Sequence, residues 1–306
     1  MNRFEYVEAH TLPEAIALLG QDEGTRIVAG ATDFLVRWRQ GLWNPRSVLT
    51  IQCIPGLDGV SYSPATGLGL GALVTIRRLE LHPLVQAHYP ALSQAASTFA
   101  GVQIRHLATV GGNICNASPA GDTLPALIAY AAECQLLGPD GERQVPLESF
   151  LRGPGRTVLQ PAELLVGLRL PPPPSHTGAL YIKHSPRSAM DISAVGVASM
   201  VTLEGSDGAC REVRIALGAV GPMVLRARSA EALLRSQRPD AALIQQAARA
   251  AMEEARPIDD IRGTARHRRA IVEALAGRTL RSAIQMAQGA ILPFRTQRAL
   301  AIEAMF

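Results

Sequence analysis

The sequence predicts an α+β protein of two domains, on three observations. The chain has 306 residues, which is long for one hydrophobic core. Residues 171–174 are four consecutive prolines, which neither a helix interior nor a central strand accommodates, so a boundary is expected between residues 173 and 174. Strand-like and helix-like segments are mixed before that point; after it, three strand-like runs are followed by helical patterns.

The elements follow from local chemistry. TLPEAIALLG (11–20) has apolar residues at helical spacing, with Thr11 as N-cap, Pro13 in the first turn and Gly20 at the end. RIVAGATDFL (26–35) reads as a strand entering a tight loop, and SVLTIQCI (47–54) as a second strand. LGLGALVTI (68–76) is strand-like, with Thr75 placed to cap the helix that follows. Helical patterns return at 91–100 and 123–133, and the Asp-Gly pair in PDGERQ (139–144) signals a hairpin turn. Beyond the prolines, GALYIKHS (178–185), ISAVGVASMVTL (192–203) and CREVRIALGAV (210–220) suggest an antiparallel sheet, the last two joined by the turn-rich EGSDGA. Helical patterns dominate 229–287, and 288–306 is an apolar and basic tail interrupted by Pro293.

Composition excludes several classes. Hydrophobic residues are 47% of the chain, far above a disordered composition. A formal charge of +4, scattered, is too small for a nucleic-acid grip, and aromatics at 4% give no base-stacking platform. The N-terminus, MNRFEYVEAH, has no apolar core of a signal peptide. The longest apolar run, residues 124–132, is too short to cross a bilayer. A cytoplasmic protein with no membrane span and no nucleic-acid partner is expected. Cys53, Cys115, Cys134 and Cys210 form no Cys-x-x-Cys pair, so reduced, mostly buried thiols and no metal site are expected.

One glycine pattern misleads. Gly67-x-Gly69-x-x-Ala72 satisfies the dinucleotide fingerprint, but it lies within a strand-like run instead of opening a helix, and no acid follows at the required distance.

The informative segment is ATVGGNICNASPAGDTLPAL (108–127). Gly111 and Gly112 permit close backbone approach and positive φ, and consecutive amides in such a turn form an anion nest. Thr109, Asn113, Asn116 and Ser118 add neutral donors, and Asp122 is an acceptor suited to ribose hydroxyls. The combination reads as a nucleotide cradle or, equally, as a buried polar turn that satisfies itself. VAGATDF (28–34) offers a second turn of small residues after a strand, or a loop that caps the next helix.

Four stretches, VAGATDFLVRWRQG, FAGVQIRHLATVGGNICNASPAGDTLPAL, YIKHSPRSAMDIS and GAVGPMVLRARSAEALL, resemble the FAD-binding subunit of the xanthine dehydrogenase family of molybdenum hydroxylases. RPIDDIRGTARHRRAIVEALAGRTL resembles the end of that family's C-terminal domain, so the resemblance spans residues 1–280. It implies a vanillyl-alcohol-oxidase-type FAD-binding domain over 1–173 and a small C-terminal domain over 174–280. That domain would hold a three-stranded antiparallel sheet and helices, with a tail over 281–306. The cofactor implied is FAD. The resemblance puts its pyrophosphate between Val28, Ala29, Gly30, Ala31, Thr32, Asp33, Phe34 and Leu35 on one side and Thr109, Val110, Gly111, Gly112 and Asn113 on the other, with Ser118 nearby. It gives Asp122 the ADP part, Phe99 a place beside the cofactor, and Leu165 and Lys183 places near the isoalloxazine ring. Many members have Gly-Gly where this chain has Gly30-Ala31, and the extra cysteines of 4-hydroxybenzoyl-CoA reductase medium subunits are missing here.

The resemblance also implies the partners: a molybdopterin-containing large subunit that oxidises the substrate, and a small [2Fe–2S] subunit that relays electrons to the FAD, in a dimer of heterotrimers. Lys183 is expected to raise the flavin's potential by placing positive charge near the reduced ring. The competing readings are a stand-alone flavin oxidase or reductase, for which the sequence offers no proton-handling residue, and a scaffold subunit that has lost FAD. Simpler readings exist for single residues. Lys183 can be an exposed strand residue and Asp191 a turn or cap. Arg105–His106 can be a surface pair, and Arg266, His267, Arg268 and Arg269 a solvated helix face.

Overall fold

The computed structural model describes residues 3–187 and 190–291. It opens on a small parallel sheet in which Ser47–Thr50 lies between Glu5–Glu8 and Arg26–Val28. Parallel neighbours need crossover connections, and two helices supply them: Leu12–Gln21 and Phe34–Arg39. The first is capped as its sequence requires, with the Thr11 hydroxyl accepting from the Glu14 amide at 3.2 Å and Pro13 in the first turn. The Arg26–Val28 strand ends at the loop Ala29–Asp33, and the carboxyl ends of such strands are where α/β units hold ligands.

A second, antiparallel sheet orders its strands Val60–Ser63, Gly67–Gly71, Leu164–Leu170, Glu133–Gly138 and Gly141–Pro146. The Asp-Gly turn joins its last two strands as expected. The helical pattern at 123–133 is shorter than its sequence suggests: the helix is Thr123–Ala129, and Glu133 already begins a strand. The fingerprint glycines Gly67 and Gly69 sit in a strand of this sheet, which is not the setting of a dinucleotide loop.

After the prolines comes a sheet of four strands, where three were expected. Thr177–His184, Val195–Leu203 and Cys210–Gly218 are joined at the edge by the two-residue strand Leu225–Arg226. The fourth was missed because two residues carry no alternation to read. Every residue of Val195–Leu203 is buried, since the sheet is covered on both faces. Leu180, Ile182, Val197, Val201, Ile215 and Leu217 face this domain's helices. Ala179, Tyr181, Ala198, Met200 and Ala216 instead join the core of the first domain, against its helices Pro90–Ser97 and Thr123–Ala129. The prolines therefore mark a chain boundary across which the hydrophobic core is continuous.

Ala265–Ala287 is a 23-residue helix lying on Thr177–His184 and Val195–Leu203. It runs past residue 281, so residues 281–287 belong to the packed helix and not to a separate tail; the part of the expected tail from residue 292 onward lies outside the described residues. The basic run on this helix is not a uniformly solvated face. Arg268 is buried and donates to the carbonyls of Ala194, Ile258 and Ala219 and to Asp260. Arg105, expected at the surface with His106, is also buried, paired with Glu80 at 2.9 Å and donating to the Phe99 carbonyl at 2.8 Å. In both cases a long side chain reaches several carbonyls at once, a tertiary property that charge runs do not reveal.

Candidate functional site

The site is a groove of about 260 Å³ where the loop after Arg26–Val28 meets the segment leading into the short helix Val110–Cys115. The width of that junction is set by a missing side chain. An ideal Cβ on Gly30 would overlap the Leu107 carbonyl oxygen and stand 2.6 Å from its carbon. Gly30 has no positive φ, so it is glycine for space and not for conformation. Gly111 serves similarly, with its Cβ position 2.7 Å from the Ala72 carbonyl oxygen.

The conformational strain falls one residue later. Ala31 holds φ 59°, in the left-handed region that favours glycine. Ala31→Gly is expected to stabilise the protein by up to about 1 kcal/mol, the relief of the strained alanine exceeding the entropy added to the unfolded chain. Urea unfolding measures it. A loss of stability would mean that the Ala31 methyl's packing against Val28, Phe34 and Val48 outweighs the strain.

The two segments divide the polar work differently from the sequence reading. The amides of Val110 and Gly111 donate to the carbonyls of Val74 and Ala72, each at 2.9 Å, and that of Gly112 donates to the Thr109 hydroxyl at 3.1 Å. The Gly-Gly turn is the start of a capped helix with its amides already used, and it is not a nest. The nest lies in the other loop. Gln52 donates to the Ala29 carbonyl at 2.7 Å, while the backbone N–H groups of Gly30, Ala31, Thr32 and Asp33 find no acceptor among the described residues. Successive free amides around a left-handed residue make an anion-binding concavity. From the helix side come side chains. Asn113 is buried, lines the groove, and accepts from the Thr123 hydroxyl at 2.7 Å, which leaves its amide nitrogen as a donor. Cys115 also lines the groove, but burial pushes its thiol up to about 12, so it is an inert wall group.

Of the expected site residues, Val28, Ala29, Gly30, Ala31, Thr32, Asp33, Phe34, Phe99, Thr109, Gly111, Gly112, Asn113 and Leu165 line this groove. Leu35 is exposed on the following helix, Val110 is in the core, and the Ser118 hydroxyl accepts from the Ala120 amide within its own turn. Asp122 and Lys183 form a separate buried cluster. Lys183 donates to Asp122 Oδ2 at 2.8 Å, to the Thr98 carbonyl at 3.1 Å and to the Asp191 carbonyl at 2.8 Å, which uses all three of its N–H bonds. Asp122 accepts also from Ser193 at 2.7 Å and Tyr181 at 3.4 Å. Lys183 is thus neither exposed nor free. Its bond to Thr98 sets the cluster beside Phe99, the groove's aromatic wall. Sequence reading missed Arg26 and Trp43, which line the groove as well; nothing in their local pattern distinguishes them from surface residues.

With this geometry in view, comparison with known proteins is decisive. Residues 2–173 match the FAD binding domain in molybdopterin dehydrogenase, and residues 180–283 match the CO dehydrogenase flavoprotein C-terminal domain. The chain belongs to this family. It is 33% identical over 282 residues to the carbon monoxide dehydrogenase medium chain of Hydrogenophaga pseudoflava, covering 92% of this chain and 97% of that one. It is 31% identical over 285 residues to the xanthine dehydrogenase FAD-binding subunit of Escherichia coli O157:H7, covering 93% and 97%. Among solved structures, carbon monoxide dehydrogenase from Hydrogenophaga pseudoflava superposes with a TM-score of 0.88 at 33% identity, over 92% of this chain and 97% of that one. Quinoline 2-oxidoreductase from Pseudomonas putida 86 superposes at 0.87 with 27% identity, over 94% and 99%. The chain is therefore a flavoprotein subunit of an oxidoreductase, with FAD as its cofactor. The groove suits that cofactor: free amides and an uncommitted asparagine donor answer a diphosphate, and Phe99, Leu164 and Leu165 answer a flat ring. No helix among the described residues is long and apolar enough to cross a membrane, and no group of three or more His, Cys, Asp or Glu among them is arranged to hold a metal ion.

Proposed function

We propose that this chain is the electron-output subunit of a three-component molybdenum hydroxylase. It holds FAD between the [2Fe–2S] clusters of a small partner subunit and a terminal electron acceptor, while a molybdopterin-containing large subunit oxidises the organic substrate. Supporting this are its likeness over nearly its full length to carbon monoxide dehydrogenase and xanthine dehydrogenase subunits, and a groove whose fittings are for binding. Bound FAD supplies the redox chemistry, accepting electrons singly or in pairs. The residues of this chain bind and orient it. The amides of Gly30–Asp33 hold the diphosphate, with Thr109, Gly111, Gly112 and Asn113 on the facing segment. Phe99 and Leu165 shape the ring's place, and the Asp122–Lys183 pair stands next to Phe99 as a fixed ionic group.

The single observation that carries the reading is the run of free backbone amides in the loop Gly30–Asp33, facing a buried asparagine donor across one groove. The test is an absorption spectrum of the purified chain before and after adding FAD, with affinity purification of the tagged chain from its host. Flavin bands at near-stoichiometric occupancy, and two co-purifying subunits carrying molybdenum and iron–sulfur absorption, are the expected results. Flavin without partners, turning over a small molecule alone, would overturn the multi-subunit reading.

A further inference from the structure

The groove carries uncompensated positive charge at one side. The Arg26 guanidinium lies 5.5 Å from the centroid of the Trp43 ring, and that of Arg37 lies 4.7 Å from it. Arg37 also donates to Asn116 Oδ1 at 2.7 Å, a bond that spans 79 residues and ties the helix Phe34–Arg39 to the end of Val110–Cys115. Trp43, Arg26 and Asn116 all line the groove. Other arginines of this protein with buried or half-buried positions have carboxylates: Arg105 has Glu80, Arg226 has Glu231 and Arg143 has Glu163. Arg26 and Arg37 have none within ion-pairing distance among the described residues. Asp33 is the one carboxylate on the lining, so the guanidinium groups of Arg26, on the lining, and Arg37, behind Trp43, outnumber it by one. An arginine already stacked on a ring and bonded to an asparagine is pre-oriented, so accepting a phosphate costs it little further entropy.

We infer that Arg26, Trp43 and Arg37 form a cationic clasp for the adenosine-diphosphate part of the dinucleotide, and that this clasp makes the groove select FAD over flavins lacking that part. The inference rests on the FAD reading and extends it to residues the free-amide loop does not include. The amides of Gly30–Asp33 give partial charges only; the clasp adds full charges, which answer a diphosphate's two negative charges and leave a neutral ring unaffected.

The experiment is calorimetric titration of the full chain with ADP, FAD and riboflavin, at low and high salt. The proteins are wild type, Arg26→Gln and the Arg26→Gln/Arg37→Gln double variant, each checked for fold by circular dichroism and thermal unfolding. The double variant is expected to lose about ten-fold or more in affinity for ADP and FAD and to show a weaker salt dependence, with riboflavin affinity unchanged. The Arg26 side chain is exposed and makes no hydrogen bond among the described residues, so its single variant keeps the fold and is expected to show a smaller loss in the same direction. ADP affinity within two-fold of wild type in folded Arg26→Gln and double variants, with FAD still binding, would overturn the clasp alone. A wild-type chain that takes up neither FAD nor ADP would overturn the FAD reading and the clasp with it.

Discussion

Gly30→Ala is expected to abolish stoichiometric FAD binding while leaving most of the fold intact. The added methyl overlaps the carbonyl of Leu107 and lies 3.1 Å from the Cα of Ala108, and these are backbone atoms that no rotamer change moves. The loop Ala29–Asp33 must then shift away from the segment that leads into Thr109. That widens the groove between the free amides and Asn113, and such overpacking costs about 1–3 kcal/mol of stability. Because the amides and Asn113 act on one ligand together, even a small separation is expected to lower FAD affinity by about ten-fold or more. Flavin absorbance per chain after dialysis, with urea unfolding alongside, measures both effects. A variant that retains full flavin would show that the loop does not contact the cofactor. A variant of unchanged stability would show that the close approach to Leu107 is absent in solution.

The second large effect belongs to Lys183→Met. In the structure Lys183 and Asp122 are both buried, and removing the lysine strands a carboxylate in the core, at a cost of about 3–5 kcal/mol near neutral pH. Burial pushes the Asp122 carboxyl above its ordinary value, against the pull of Lys183 and of the hydroxyls of Ser193 and Tyr181. An acid raised in the folded state takes up its proton more readily folded than unfolded. It therefore favours the fold at low pH, and this contribution is lost as pH rises through the raised value. Without Lys183 the carboxyl rises further and the window extends upward. The variant's deficit is thus expected to be largest near neutrality and to shrink as the solution is acidified and Asp122 takes up a proton, since a protonated carboxyl needs no ionic partner. Urea unfolding across that range tests it; a deficit independent of pH would mean that Asp122 is not the stranded charge. Adding Asp122→Asn to the variant should recover part of the loss.

The same pair alters the electrostatic expectation for the flavin. Lys183 was expected to raise the flavin potential as a lone positive charge, but its charge is matched by Asp122 at 2.8 Å. What Lys183→Met changes is the cluster's net charge, from neutral to negative, so the potential still falls. An unchanged FAD potential at full occupancy would sink that idea.

Much of this protein was legible from local sequence because the determinants are local. Thr11 and Thr75 cap the helices that follow them, as their positions suggest. The Asp-Gly pair turns a hairpin and the prolines end a strand, because these residues restrict their own backbone. The segments Val28–Phe34 and Thr109–Asn113 could be singled out because small residues, glycines and uncharged donors interrupting apolar runs need a reason, and they do meet at one groove. Tertiary structure decided the division of labour. The Gly111 and Gly112 amides are consumed by a carbonyl and a cap, while those of Gly30–Asp33 are left free, and only the partners of each N–H reveal the difference. Lys183, placed near the flavin ring by the resemblance and otherwise readable as an exposed strand residue, is half of a buried pair because its strand packs on the first domain's helices, bringing it to a residue 61 positions away. The fit of backbone to backbone at Gly30, the pairing of Asp122 with Lys183 and the clustering of Arg26, Trp43 and Arg37 depend on distances between segments remote in the chain. Sequence encodes such distances only through the whole packed core, so no local pattern displays them.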